Sequence, residues 1–142
     1  MMFSDKPINL ELKEAFYNNL LGIVTIAKAH GIDVVLMTQP GKFSEEKIAI
    51  FCGHKPYNDI VRYPRQDEFQ KHFQEYNDII RKVAKEEAVH LIDMNRLFGQ
   101  ESDLYKDMVH YSQEGVKRFG KIYADQLEVI LRKTGKAENT EY

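Results

Sequence analysis

The chain has 142 residues, of which 43% are hydrophobic, and its 22 acidic and 20 basic side chains give a formal net charge of −2. This length suits one domain with one hydrophobic core. The balanced charge argues against a nucleic-acid partner, because proteins that bind a phosphate backbone normally carry a basic excess. No apolar run is long enough to span a membrane, and no signal peptide is visible. The sequence as given is thus that of a cytoplasmic protein, but the compartment is left open because a longer parent protein could differ. The single cysteine, Cys52, cannot form an internal disulfide.

Three segments have apolar residues at steps of three and four, the pattern of an amphipathic helix. Asn9 is placed to cap the first helix and Gly31 to end it in a left-handed conformation, while Ser112 is placed to cap the last helix. The apolar positions are Leu12, Phe16, Leu20, Val24 and Ala27; Phe69, Phe73, Tyr76, Ile80 and Val83; and Val116, Phe119, Ile122, Leu127 and Ile130.

Two segments between these helices predict strands. Ile32–Met37 is nearly all apolar, as expected of a strand that is buried on both faces, and Val89–Asp93 forms the second. Residues 42–65 fit neither pattern, so we predict a long covering loop in which only Ala49–Cys52 could form a short strand.

The alternation of helices and strands favours an α/β fold, a parallel sheet with flanking helices. Two predicted strands make a very small parallel sheet, so the chain is interpreted as half of a doubly wound domain. We predict a single partial domain over residues 1–132 and a polar tail over residues 133–142.

Asp107 and His110 lie three residues apart, just before the last predicted helix, and one turn would bring their side chains together. The aspartate could then accept a hydrogen bond from one ring nitrogen of the histidine and stabilise the imidazolium. The other nitrogen would be left to take a proton from a hydroxyl nucleophile. This pair would supply two of the three members of a Ser-His-Asp triad. The alternative is a merely solvated histidine, because the same spacing occurs by chance in many proteins.

The order of elements over about residues 9–131 resembles the C-terminal half of the SGNH (GDSL-type) hydrolases. In that family a strand ends in Thr-x-Pro, as in Thr38-Gln39-Pro40, and a helix such as that containing Glu75–Ile80 follows. A strand that ends near an aspartate, here Leu91–Met94, comes next. The block Asp-x-x-His-x-x-x-x-Gly then opens the final helix, as in Asp107–Gly115.

The resemblance implies a flavodoxin-like layered fold and the hydrolysis of acyl or acetyl esters. Asp107 would be the acid of the triad and His110 the general base. The implied substrates are small acyl esters, lipids or acetylated sugars, and no metal or organic cofactor is implied.

The family's nucleophilic serine belongs to a Gly-Asp-Ser block near the N-terminus, which is followed by an oxyanion-hole glycine and a Gly-x-Asn-Asp block. The first two are absent from this sequence. Met2-Phe3-Ser4-Asp5 stands where the tail of the third belongs, with Met2 in place of the glycine, Ser4 in place of the asparagine, and only Asp5 in agreement. The N-terminal half of the family fold is therefore expected to be lacking.

The chain has four serines that could replace the missing nucleophile, and none is expected to lie in a strand-to-helix turn that would expose it. Ser112 is explained as a helix cap, and Ser44 and Ser102 as loop residues. The nucleophile therefore stays unassigned, with Ser4 as the remaining candidate.

Other polar residues are expected to be structural. Cys52-Gly53-His54 offers too few ligands for a zinc site, and the charges of Arg81–Glu87 are expected on a solvated helix face. Asp93 is expected to cap a segment that starts at Asn95. The histidines that fall singly on predicted elements are His30, His72 and His90.

Three hypotheses follow. The chain is a piece of an ester hydrolase with acid and base but no nucleophile, or a non-catalytic remnant that associates with itself or binds a partner, or an enzyme that uses Ser4 or a serine from another copy. A homo-oligomer or an N-terminal segment is expected to cover the strand at residues 34–37, whose apolar edge would otherwise be open.

Overall fold

The computed structural model describes residues 2–4, 12–51 and 62–135, and of residues 2–4 and 62–64 it describes the backbone alone. A 3₁₀ turn at Ser102–Leu104 precedes the last helix. In these ranges no helix has both the length and the apolar character needed to cross a membrane. The elements in chain order are strand β1 Met2–Ser4, helix α1 Leu12–Ala29, strand β2 Val35–Met37, helix α2 Glu45–Phe51, strand β3 Arg62–Pro64, helix α3 Gln66–Glu86, strand β4 His90–Ile92, helix α4 Met94–Leu97 and helix α5 Gln113–Lys133.

The described strands form two parallel pairs. In one, Val35 of β2 lies opposite His90 of β4, and in the other β1 runs beside β3 with Ser4 opposite Pro64. The expected α/β architecture, a small parallel sheet with flanking helices, is therefore confirmed at this level of detail. The absence of an N-terminal half of the fold stays a prediction.

The expectation that β2 is buried on both faces was wrong. Val35 and Leu36 are only half-buried, Met37 is 37% exposed, and Ile32, which lies before the strand, is 60% exposed. A strand of a parallel sheet is buried on both faces only where helices cover both sides of the sheet. The exposure of Met37 and Ile32 shows that the described helices do not cover this part of the sheet completely.

Helices α1 and α3 pack against each other as the apolar stripes predicted. The rings of Phe16 and Tyr76 meet edge to face with centroids 5.1 Å apart, and Lys28 pairs with Glu87 at 3.0 Å. Gly31 ends α1 with a φ of +68°, which confirms the predicted left-handed conformation. The predicted cap Asn9 lies outside the described residues.

The expected long loop at residues 42–65 instead contains α2 and β3. Ser44 begins α2, because its Oγ accepts a hydrogen bond from the Lys47 N–H at 3.3 Å. Residues 49–51 of the short apolar run that suggested a strand belong to this helix, whose Ile48 is fully buried, and Cys52 lies outside the described residues. Periodicity cannot separate a buried strand from a short helix in so few residues, and the N-cap was the signal that sequence analysis overlooked.

The core lies between β4, the segment that follows it, and α5. Phe98 contacts three other rings of this cluster. The buried members of this cluster are Ile92, Met94, Phe98, Leu104 and Tyr105. The half-buried residues that pack against its buried members are Val35, Tyr111, Phe119, Ile122 and Ile130.

The cap predicted for α5 is confirmed, because Ser112 Oγ accepts from the Gly115 N–H at 3.0 Å. Most of the predicted polar tail, residues 136–142, lies outside the described part of the chain.

Candidate functional site

Asp107 and His110 lie in a short loop whose two ends are held together by backbone hydrogen bonds. Tyr105 and Tyr111 form an antiparallel bridge across its base, and the Lys106 N–H donates to the His110 carbonyl at 2.8 Å. The two side chains therefore project from a loop that is closed by hydrogen bonds and lies at the start of α5.

The Asp107 carboxylate accepts three hydrogen bonds within this loop. Its Oδ1 accepts from the backbone N–H groups of Val109 at 2.9 Å and of His110 at 2.8 Å, and its Oδ2 lies 2.7 Å from His110 Nδ1. Burial by itself would raise the pKa of the Asp107 carboxyl, but these hydrogen bonds together lower it below its ordinary value. The expected pairing of the two side chains is confirmed, whereas the catalytic role of the pair stays a prediction.

The two members of the pair differ in exposure. The Asp107 side chain is 14% exposed, whereas that of His110 is 69% exposed. An ionised Asp107 can only accept, so it selects the tautomer with hydrogen on Nδ1, and Nε2 keeps a free lone pair. In the described part of the chain, Nε2 of His110 has no hydrogen-bond partner. The arrangement is therefore suited to general-base chemistry at Nε2.

The segment that contains α2 also contacts this loop. The Lys42 N–H donates to the Met108 carbonyl at 2.9 Å, and Lys47 Nζ donates to the Tyr105 carbonyl at 2.6 Å. The ring of Phe51, at the end of α2, lies nearly parallel to the His110 ring. Sequence analysis missed these three residues because it treated their segment as a loop, and their apolar and basic character gave no separate signal.

The described serine hydroxyls do not contact the His110 ring. Ser44 and Ser112 cap α2 and α5, as their hydrogen bonds show, and Ser102 begins a 3₁₀ turn. Ser4 lies in β1, and its side chain is outside the described part of the structure. No contact that would assign a nucleophile is therefore present among the described residues.

The Asp93 side chain does not cap the segment after β4, which corrects the sequence-based expectation. Its carboxylate instead accepts from Arg81 at 2.9 Å and 2.7 Å and from the Thr38 hydroxyl at 2.8 Å. The Arg81 side chain, expected on a solvated face, is only 14% exposed. The Asp93 carboxylate therefore has a structural role that ties α3 to the ends of β2 and β4.

The Thr-x-Pro segment after β2 is fixed by a second contact to α3. The side-chain amide of Asn77 accepts from the Gln39 N–H and donates to the Gln39 carbonyl, both at 2.9 Å. Asn77 is 2% exposed, so this exchange satisfies its polar atoms inside the protein. The side chain of Asn77 thus holds the backbone of this segment against α3.

The remaining candidate residues show no metal site. His72 is 7% exposed, with Nδ1 2.9 Å from Glu75, and His30 is exposed. His90 is half-buried in β4. Cys52 and His54 lie outside the described residues, and among those that are described no three His, Cys, Asp or Glu side chains converge to hold a metal.

The described structure is thus a small parallel α/β arrangement with an Asp-His pair just before its last helix. The model of the GDSL-like Lipase/Acylhydrolase family matches residues 7–118, more than three quarters of the chain. The chain therefore belongs to this family, which supports a general hydrolase function and small ester or lipid substrates. None of the curated proteins matches the chain significantly.

Proposed function

We propose that this chain supplies the acid and the base of a serine ester hydrolase. The observation that carries the proposal is the 2.7 Å contact between Asp107 Oδ2 and His110 Nδ1, with the opposite ring nitrogen exposed. His110 takes the proton of a serine hydroxyl as that oxygen attacks the acyl carbon, and it returns the proton to the leaving alcohol. Asp107 orients the ring and stabilises the imidazolium. Water then hydrolyses the acyl-serine with the help of the same histidine.

The serine of this mechanism is not one of the two helix caps or Ser102, because their hydroxyls do not contact His110. It is Ser4 or a residue of another segment or copy. By itself, the chain is expected to show no saturable esterase activity. The His110 ring can nevertheless react slowly with an activated ester, directly or by activating water.

The test is the release of p-nitrophenol from p-nitrophenyl acetate at neutral pH. The wild-type chain is expected to give a slow rate that rises linearly with ester concentration. His110→Ala and Asp107→Asn are each expected to remove at least half of the protein-dependent rate. His30→Ala is the matched control, since His30 is exposed and its ring has no described hydrogen-bond partner.

An equal loss in the His30→Ala and His110→Ala variants would contradict the proposal, because the pair would then add nothing to an ordinary surface histidine. A saturable rate that His110→Ala abolishes would instead place the nucleophile in the chain, and Ser4→Ala would identify it. The same assay gives both the rates of the variants and the dependence of the rate on ester concentration.

A further inference from the structure

The end of α2 places an aromatic ring beside the proposed general base. The centroids of the Phe51 and His110 rings are 6.2 Å apart, and their planes differ by 29°. Phe51 remains 43% exposed and the His110 side chain 69% exposed. The two rings therefore border the same open surface.

Phe51 is held at this position by other contacts of its segment. Ile48 is fully buried, and Lys47 is 8% exposed with its Nζ on the Tyr105 carbonyl. A backbone hydrogen bond joins Lys42 to Met108, within the loop that carries the Asp-His pair. The segment of α2 is therefore anchored to that loop on both sides of Ser44, which places the end of the helix beside His110.

We propose that Phe51 determines specificity by forming the apolar wall against which the acyl chain of the ester lies. This inference rests on the proposed function. The ester carbonyl has to lie within reach of a nucleophile that is hydrogen-bonded to His110 Nε2. An acyl chain of several carbons would then pass the neighbouring Phe51 ring. The substrate class is therefore an ester with an aliphatic acyl chain rather than an acetylated sugar.

The test is an NMR titration of the chain with methyl acetate, methyl butyrate and methyl hexanoate, neutral esters that need no nucleophile to bind. The ring and amide signals of Phe51 and His110 are followed. The dissociation constant is expected to fall by about twofold to fourfold for each added methylene that reaches the ring. Phe51→Ala is expected to abolish this dependence on chain length, and Phe51→Leu to keep most of it.

Ile26→Ala is the matched control, because Ile26 is an exposed apolar residue on α1, 63% exposed. It should leave the titration unchanged. Equal binding of the three esters, or a chain-length dependence that survives in Phe51→Ala, would overturn the proposal. The outcome is separate from that of the proposed function: chain-length-dependent binding at Phe51 without any His110-dependent ester cleavage would retain the acyl site and reject the catalytic pair.

Discussion

Gly115 lies where the first turn of α5 passes closest to the segment before the Asp-His loop. A Cβ added there would stand 2.0 Å from the Leu104 carbonyl oxygen and 3.1 Å from the Tyr111 Cβ. The same carbonyl accepts the Ser112 N–H at 2.9 Å, so it is not free to move away. The glycine of the Asp-x-x-His-x-x-x-x-Gly block is thus explained by close backbone approach.

Gly115→Ala is therefore expected to lower the free energy of unfolding by about 1–3 kcal/mol, as overpacked sites do. Gly120→Ala in the same helix is the control, because no described atom lies within 4 Å of its added Cβ. That change should raise the free energy of unfolding by about 0.5–1 kcal/mol, since alanine favours a helix interior over glycine. Urea denaturation followed by circular dichroism measures both, and equal midpoints for the two variants would contradict the steric argument.

Asp93 joins elements that are distant in the chain. Its carboxylate receives Arg81 from α3 and Thr38 from the end of β2, and it lies directly after β4. The hydrogen bond from the Arg81 guanidinium lowers the pKa of the Asp93 carboxyl, although burial opposes this shift. The ionised form is thus favoured by the folded state.

Because the folded-state pKa of Asp93 is lowered, its contribution to stability is fully present above the ordinary value of about 3.9 and is lost as the pH falls through the lowered one. Asp93→Asn is expected to reduce the free energy of unfolding at pH 7 by about 1.5–3 kcal/mol, the range of hydrogen bonds to charged groups. The difference from wild type should shrink as the pH falls through the lowered pKa of the Asp93 carboxyl.

Asp78→Asn provides the matched control for this prediction. Asp78 binds the same guanidinium at 2.7 Å, but its side chain is 61% exposed, so its removal should cost at most about 1 kcal/mol. Urea titrations of the three proteins from pH 7 down to about pH 2, well below the ordinary carboxyl pKa of about 3.9, make the comparison. A gap between wild type and Asp93→Asn that does not depend on pH would contradict the assignment.

The whole molecule has an apolar strand with only one described neighbour. The partly exposed Met37 ends β2, and Ile32, 60% exposed, precedes the strand. An uncovered strand edge is a template for pairing with another chain. A two-fold dimer is the commonest closed assembly that satisfies such an edge.

We accordingly predict that the chain forms a homodimer through the edge of β2. Size-exclusion chromatography with light scattering at micromolar concentration should give twice the chain mass of 16.6 kDa. Met37→Lys should shift the population toward monomer, because a lysine on an edge strand opposes pairing. Ile26→Lys, at an exposed site on α1, should not. A wild-type monomer with a cooperative melt would contradict the prediction.

The sequence alone determined the elements with a long periodic pattern and the pairing of two side chains. The helices α1, α3 and α5 follow from apolar stripes that extend over several turns, and the contact between Asp107 and His110 follows from their spacing of three residues. Both depend on interactions between residues that are close in the chain, where spacing fixes distance.

Only the tertiary structure decided what lies around that pair. The helical state of α2, the place of Phe51 beside His110 and the capture of Asp93 by Arg81 all join residues that are far apart in the chain. A side chain such as Arg81 suits a solvated face or a buried ion pair equally well until its partner is known. The packing of the elements decides between the solvated face and the buried ion pair, because it sets the exposure and the partners of each side chain.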